Sequence, residues 1–428
     1  MKDIGVDKEA IRSYLLTFFF PICGLFYSFN NWTEKHSKNV FWMFCAYTGL
    51  ILIYQPYGTV LGEGSDGGRY ISTLVDMHGS VKSFKAVSEH FYDGNTIDIF
   101  SSILTYVVSR FTDNGHIFFL VLAIIYGYFY SRNIWYILDK LPEQFNRTIW
   151  ILIAFLFLAC PIWNINGVRM WTAAQVFVYG ALPHLIALDR KKLLWCPAAI
   201  LIHHSFIIPN IILLLYSIFI KYLNRNNVTL TVVFSFYVIS LFLNQLDLSI
   251  LNNVLQGILP TYYNDRIDDY VNYDTANNLA SSLSGNSLHY FVFIELLHWT
   301  VALLIFFSYF AIKNNRQSSQ LFLRLYTFVL IFYGVANLIS DVPGGGRFTV
   351  IANMFTASAL ILIMTYLPKG RYFRTLLPII FFLLACSLIF EIRKGLDYYG
   401  YNLLLGNYIT APMLQSNVPI IKYIKDII

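Results

Sequence analysis

The amino-acid sequence predicts an all-α polytopic transmembrane protein, with about ten full spans and one broken or re-entrant helix pair. Of its 428 residues, 57% are hydrophobic and only 13% are charged, which leaves too little polar surface to cover a soluble globule of this size. Apolar runs of roughly 17 to 25 residues recur from end to end, the length that an α-helix needs to cross a bilayer. Helices satisfy the backbone within such runs, so a β-barrel is not expected.

Each predicted span is an apolar run bounded by charged or turn-forming residues. The runs lie near 12–30, 40–58, 116–138, 148–163, 169–188, 228–247, 288–312, 321–340, 348–367 and 374–392. The first run has no small-residue cleavage site after it, so we expect it to remain as the first span. No repeat or soluble domain is evident, which indicates a single integral membrane domain over residues 1–428.

The segment 193–220 is apolar but is interrupted by two prolines and by two adjacent histidines, His203 and His204. It is too long for one ordinary helix, and proline breaks a helix. Basic residues flank it on both sides, which places both of its ends in the cytoplasm. We therefore expect two short helices that meet at the histidines and form a re-entrant hairpin.

The distribution of lysine and arginine also predicts the topology of the other loops. Basic clusters mark cytoplasmic loops, and the outer face then receives the N-terminus, loops 60–115, 164–168, 251–287 and 341–347, and the tail after about residue 392. Arg393 and Lys394 strain this assignment, because they lie on the outer side of the last span. The stretch 96–111 is expected to lie along the interface, with a short true span as the alternative.

Several functional classes are not supported by the sequence. The net charge of +6 follows membrane topology rather than a nucleic-acid footprint, and the five cysteines are scattered through apolar segments. No Walker loop, zinc pattern or dinucleotide fingerprint is present, so we expect no cofactor and no metal. The acidic residues Asp265, Asp268 and Asp269 are interpreted as part of a solvated loop.

The first candidate for chemistry is the stretch GEGSDGGRY, which contains Asp66, Arg69 and Tyr70. Glycines allow the backbone to bend sharply there, and a carboxylate beside a guanidinium can bind a polar substrate. The alternative is a solvated turn held by an ion pair between Asp66 and Arg69.

A second candidate lies around Asn166 and Arg169, where an arginine opens a span at its predicted outer end. Arginine at this depth is costly unless it is paired or functional, and a helix N-terminus adds partial positive charge. Together they are suited to binding a phosphate. The alternative is an arginine whose side chain reaches up to the headgroup layer.

The third candidate is the histidine pair with Ser205. An ionisable side chain in an apolar segment is costly and is usually functional, and histidine exchanges protons near neutral pH. A hydrogen-bonded core histidine is the alternative. Arg347 is the fourth candidate, since a glycine-rich loop again delivers an arginine to the start of a span. Three arginines, at positions 69, 169 and 347, would form a clamp for a diphosphate. Arginine binds phosphate oxygens in a bidentate geometry, which explains why these positions carry arginine rather than lysine.

The order of these features resembles the EpsG family. The likeness consists of a basic loop, a span, Gly-x-Asp followed by Tyr70, Asn-x-x-Arg at the start of a span, and a mid-membrane His-x-Ser. It extends over about 35–367 and is strongest over 148–220. The chain departs from the pattern at Met170, where relatives commonly carry Gln, and at Gln55-Pro56-Tyr57, where they commonly carry Arg-Tyr.

The resemblance implies a GT-C-like glycosyltransferase and a Wzy-like polymerase of exopolysaccharide, capsule or O-antigen. Its substrates would be undecaprenyl-diphosphate-linked oligosaccharides, its location the bacterial cytoplasmic membrane, and its active site outward-facing. Membrane lipid and a chain-length regulator would be its partners, and nucleic acid would not.

We expect an inverting, metal-independent transfer in which the arginines stabilise the departing diphosphate and His203 or Asp66 accepts the hydroxyl proton. His204, Ser205, Tyr70 and Asn166 would support them. The rival interpretations are a flippase or transporter of lipid-linked oligosaccharide and a membrane acyltransferase that decorates polysaccharide.

Overall fold

A computed structural model of the chain describes residues 8–55, 65–80, 99–243, 288–316, 320–340, 344–413 and 417–427. Regular structure in these ranges is helical, apart from one isolated β-bridge between Leu52 and Tyr399. The all-α prediction is therefore confirmed. The predicted outer loop 251–287, including the three aspartates discussed above, lies outside the described residues.

The described helices are named here in chain order. They are α1 (Lys8–Phe19), α2 (Pro21–Asn30), α3 (Ser37–Leu50), α4 (Asp66–Ser80), α5 (Ile99–Ser109), α6 (Gly115–Leu138), α7 (Ile149–Leu158), α8 (Val168–Ala187), α9 (Trp195–Ile202), α10 (Ile207–Leu223), α11 (Asn227–Ser240), α12 (Leu288–Asn314), α13 (Gln320–Leu338), α14 (Gly346–Tyr366), α15 (Arg371–Gly395), α16 (Asn402–Leu405) and α17 (Ile420–Ile427). Short 3₁₀ helices at Ile162–Gly167 and His204–Phe206 precede α8 and α10.

Six helical segments of the described chain are long and apolar enough to cross a membrane, which makes this a multi-pass membrane protein. One of them, Ile149–Ala187, runs through α7, the 3₁₀ helix and α8, where the sequence predicted two spans. The structure does not confirm the count of ten. Helix α14 is the central element, because 83% of its most apolar window is buried inside the protein.

The prediction of a single span over 12–30 is wrong. The chain breaks between α1 and α2 at Pro21, whose missing N–H cannot continue the helix. A Cβ placed on Gly24 would lie 2.7 Å from Thr17 Cγ2, a contact that residues seven apart in one straight helix cannot make. The two helices therefore fold back on each other.

The predicted loop 60–115 contains two helices, α4 and α5. On α5 the hydroxyl residues Ser101, Thr105 and Ser109 are buried, whereas Ile103 and Val107 are exposed. A helix that lies along the interface, as the sequence predicts for 96–111, would instead present its hydroxyls to the headgroup layer. An apolar outer face with an inward hydroxyl stripe is suited to contact with lipid tails.

The directions of three helices decide where the functional candidates meet. The Arg324 guanidinium, near the start of α13, donates a 2.6 Å hydrogen bond to the carbonyl of Ile186, near the end of α8. Helix α13 is therefore antiparallel to α8. After a short connection α14 packs back along α13, so that α14 runs parallel to α8.

The broken segment has the predicted form of two helices that meet at the histidines. Helix α9 packs along α8 in the opposite direction, from Cys196, whose thiol lies 3.6 Å from the Phe177 carbonyl, towards Met170. Helix α10 then returns, and Ser217 Oγ lies 3.1 Å from His184 Nε2 near the end of α8. The break consequently lies near the start of α8 rather than at mid-depth.

A buried polar network fastens α8 to its neighbours below this break. The fully buried Gln175 side chain donates to the Tyr126 hydroxyl at 3.1 Å and to the Cys160 carbonyl at 3.3 Å. Asn133 donates to Gln175 Oε1 at 2.9 Å. Buried hydrogen bonds of this kind rigidify the elements that they join.

Candidate functional site

The first part of the site is the start of α4. Ser65 caps this helix, because its Oγ accepts a 3.0 Å hydrogen bond from the Gly68 N–H. The same hydroxyl donates to the carbonyl of Tyr54 at 2.7 Å, which ties the helix end to the chain after α3. Asp66 and Arg69 form an ion pair on the exposed face.

Helix α4 approaches the 3₁₀ helix at Ile162–Gly167 very closely at Gly67. A Cβ at this position would overlap Asn166 Oδ1 and would lie 2.9 Å from the carbonyl oxygen of Tyr54. Glycine is therefore required here by space. The contact brings residues 66–70 against residues that follow them by about a hundred positions.

Arg169 lies beside Tyr70 as a result of this contact. Its guanidinium carbon is 5.8 Å from the centre of the Tyr70 ring, within the range of a cation–π interaction. Arg169 is half-buried in the first turn of α8, where partial positive charge from the helix adds to its own charge. An anion at this position would meet both charges.

His203 occupies the break between α9 and α10 and is 7% exposed. It has an extended backbone, and its Nδ1 accepts a 3.2 Å hydrogen bond from the Ser205 N–H and lies 2.8 Å from Ser205 Oγ. A nitrogen that accepts from a backbone N–H carries no proton, so the neutral ring is protonated on Nε2. The ring of His204 stacks on it at 4.9 Å.

The histidine break joins the same cluster through Met170. Ser205 Oγ lies 3.8 Å from the Met170 sulfur, and Met170 follows Arg169 directly in α8. The structure thus places eight of the nine predicted site residues around the start of α8. We call this group the outer cluster, after the face of the membrane that the sequence predicts for it. Its members are Asp66, Arg69, Tyr70, Asn166, Arg169, His203, His204 and Ser205.

Arg347, the ninth residue, lies at the same level as Arg169 but on another helix. Phe177 of α8 and Phe355 of α14 meet with ring centres 6.1 Å apart, and each arginine precedes its phenylalanine by eight residues, or about 12 Å of helix. Gly344, with φ of 79°, provides the turn before α14. The Arg347 side chain is exposed and is not in contact with the outer cluster among the described residues.

The end of α15 lies beside the outer cluster. From the sequence, we interpreted its Arg393 and Lys394 only for topology and did not consider their acidic neighbours. A Cβ on Gly395 would lie 2.9 Å from the Trp163 ring, and Glu391 precedes Gly395 by one turn. Lys394 Nζ lies 2.8 Å from Glu391 Oε2, and Arg393 pairs with Asp397 at 3.0 Å. The signal that could have found these two ion pairs was a run of acidic and basic residues at the end of a predicted span.

The model of the EpsG family matches residues 61–404, which include every residue of the outer cluster and Arg347. The chain belongs to the EpsG family. No curated protein and no solved structure matches it. Membership of the EpsG family indicates a polysaccharide polymerase-like role at a membrane, of a glycosyltransferase-like kind.

This EpsG-family protein offers no cluster of three or more His, Cys, Asp or Glu side chains for a metal within the ranges that the structure describes. Arg69 and Arg169 contribute guanidinium groups to the outer cluster. Guanidinium groups bind phosphate oxygens in a bidentate geometry.

Proposed function

We propose that the protein is a Wzy-like polysaccharide polymerase on the outer face of the bacterial cytoplasmic membrane. It transfers a glycan from a polyprenyl-diphosphate donor to a sugar hydroxyl of a second lipid-linked repeat unit. The acceptor oxygen forms a bond to the anomeric carbon, the bond from that carbon to the diphosphate breaks, and the diphosphate leaves with the electron pair. Direct displacement inverts the anomeric carbon.

The observation that carries this proposal is the position of Arg169. It lies at a helix N-terminus, beside Tyr70, in a cluster at one end of an otherwise apolar bundle. A lipid-linked diphosphate requires this combination, because its chain lies in the bilayer while its charge must be neutralised at the boundary. A positive helix end and a guanidinium supply that charge without reorganising during the reaction.

Arg347 would contribute from the neighbouring helix. Eight residues make about two and a quarter turns, so both arginines are rotated in the same sense from the Phe177–Phe355 contact. In parallel helices this turns the two side chains to opposite sides of the helix pair. A diphosphate in contact with both would therefore lie over the helix ends, and Arg69 would approach it from α4.

Of the two candidate proton acceptors, the geometry supports Asp66. The Nδ1 atom of His203 already accepts from the Ser205 N–H, so its Nε2 carries a proton and is a hydrogen-bond donor. A donor binds a phosphate or sugar oxygen but does not remove a proton. Asp66 is an exposed carboxylate oriented by Arg69, and it would take the proton of the acceptor hydroxyl.

The decisive experiment incubates the purified protein with lipid-linked repeat units and follows the length of the lipid-linked products. We expect a ladder of longer chains. Arg169→Ala and Arg347→Ala should each lower the rate by about 100-fold, the usual cost of removing one group that stabilises developing negative charge. Arg371→Ala is the matched control, since Arg371 is an exposed arginine in the first turn of α15.

Three outcomes of these experiments would contradict the proposal. If chain extension continued after both Arg169 and Arg347 were replaced, the proposed diphosphate clamp would be contradicted. If reconstituted vesicles move lipid-linked sugar between leaflets without a change in its length, the protein is a transporter. Transfer of an acyl group to the glycan would identify an acyltransferase.

A further inference from the structure

A cavity of about 400 Å³ lies at the end of the bundle opposite the outer cluster. It is formed by the ends of α6 and α8, the start of α3 and the turn after α8. Its size is within the range of small-molecule sites. Its charged and amide lining residues are Lys38, Arg132, Asn133, Asp139, Asp189 and Lys192.

The positive charges in this cavity are in contact with uncharged groups. Arg132 donates to Ser131 Oγ at 2.7 Å and to Asn39 Oδ1 at 2.6 Å, and its guanidinium carbon is 4.3 Å from the centre of the Tyr128 ring. Lys192 contacts the hydroxyl and the ring of Tyr179. These contacts hold the cations in place without neutralising them.

The carboxylates in the cavity are not within ion-pair distance of the cations that line it. None of the three cations forms an ion pair with Asp139 or Asp189 among the described residues. Burial raises the pKa of the Asp139 carboxyl above its usual range, and Lys38 and Lys140 offset only part of the rise. The ends of α6 and α8 add partial negative charge near these carboxylates, so this side of the cavity is suited to a cation.

An unsatisfied amide oxygen points to a ligand with a hydrogen-bond donor. Asn133 is only 4% exposed and lines the cavity, and its Oδ1 is buried without a hydrogen-bond partner. Buried polar atoms are rarely left unpaired in proteins. An ammonium N–H would satisfy this oxygen, and it would also face the aspartates.

We propose that this cavity binds a zwitterionic phosphate headgroup, a phosphodiester that carries a primary ammonium group. The phosphate contacts Lys38, Arg132 and Lys192, and the ammonium contacts Asn133 Oδ1 and the two aspartates. Basic loops place this end of the bundle at the cytoplasmic leaflet. The site is distinct from the outer cluster, and it does not depend on the polymerase reaction.

The test measures binding to the delipidated full-length protein in detergent by native mass spectrometry. The probes are phosphatidylethanolamine, phosphatidylcholine, phosphatidylglycerol and soluble phosphoethanolamine. We expect phosphatidylethanolamine to bind at least about tenfold more tightly than the other two lipids, because only its headgroup combines a phosphate with ammonium N–H donors. Binding of soluble phosphoethanolamine would identify the free headgroup as a source, and binding of the lipid alone would identify the membrane.

Two variants and a control separate the charges. Lys192→Gln and Asp189→Asn should each weaken binding of phosphatidylethanolamine by about tenfold. Asp189→Asn retains an oxygen for the 3.0 Å bond from the Lys191 N–H, so the turn is preserved. Lys313→Gln is the matched control, since Lys313 also lies over a tyrosine ring but outside the cavity. Equal binding of all three lipids, or binding unaffected by Asp189→Asn, would overturn the proposal.

Discussion

The chemistry of the outer cluster depends on which atom of His203 carries its proton. The Ser205 N–H donates to Nδ1, and Ser205 Oγ lies 2.8 Å from the same atom. The backbone of the helix break therefore selects the tautomer with a proton on Nε2. In the proposed reaction this histidine donates a hydrogen bond to the substrate, and the carboxylate of Asp66 removes the proton.

Glutamine at position 203 tests this assignment, because its side-chain amide presents an N–H close to the position of Nε2. We expect His203→Gln to retain activity within about tenfold of the wild type, whereas loss of a general base costs about 100-fold to 10,000-fold. The measurement is the initial rate of chain extension as a function of pH.

Asparagine provides the comparison, because its shorter amide does not reach the position of Nε2. His203→Asn should be the slower of the two variants, with the acidic limb of the pH–rate profile, on which the general base becomes protonated, unchanged in both. A loss of more than about 100-fold in a correctly folded His203→Gln protein would identify His203 as the base.

The helix elements place these residues through one close contact. Helix α4 meets the 3₁₀ helix before α8 at Gly67, where no side chain fits between the α4 backbone and Asn166. The cap at Ser65 and its bond to Tyr54 fix the direction from which α4 approaches. The contact between Tyr70 and Arg169 thus depends on position 67 being glycine, which has no side chain.

Gly67→Ala should separate α4 from Asn166 and destabilise the protein by about 1–3 kcal/mol, the usual cost of overpacking a tight site. Chain extension should fall as well, because Tyr70 and Arg169 move apart. Thermal unfolding in detergent and the extension assay measure the two effects.

Gly79→Ala is the control on the same helix, because a Cβ there would meet nothing within 4 Å. It should be neutral or stabilising by about 0.5–1 kcal/mol, since alanine favours a helix over glycine. If the two alanine variants behaved alike, the Gly67 contact would have no role.

At the scale of the whole molecule, the charges at the two ends of the bundle determine its orientation. Lys38, Lys140 and Arg190–Lys192 collect at one end, and the Tyr366 hydroxyl donates to the Lys140 carbonyl there. At the other end Arg393 and Lys394 are paired with Asp397 and Glu391. Because the first end carries the larger number of lysines and arginines, the positive-inside rule still favours an outward-facing outer cluster, against the two cations Arg393 and Lys394.

Cysteine labelling in intact cells tests this orientation. Thr73, an exposed residue of α4, should become accessible to an impermeant maleimide as Thr73→Cys, whereas Arg371→Cys should react only after the cells are opened. Cys23 and Cys386 are replaced in the parent, because the remaining cysteines are buried. The reverse pattern would place the outer cluster in the cytoplasm and contradict the proposed location.

Much of the fold could be predicted because hydrophobic length and proline act locally. The helices α6, α12, α13, α14 and α15 begin and end within about three residues of the predicted spans. The break at the histidines followed from the prolines and the flanking charges. The break at Pro21 had the same signal, but only the packing of Thr17 on Gly24 turned it into a hairpin.

The sequence by itself determined that the chain is a helical membrane protein, and it identified arginines, a carboxylate and histidines as the candidates for chemistry. Only the tertiary structure decided that eight of them share one cluster, that Arg347 lies level with Arg169, and that Nδ1 of His203 is occupied. The reason is physical. The contacts at Gly67 and between Phe177 and Phe355 join residues about a hundred or more positions apart, and local patterns of hydrophobicity do not encode such pairings.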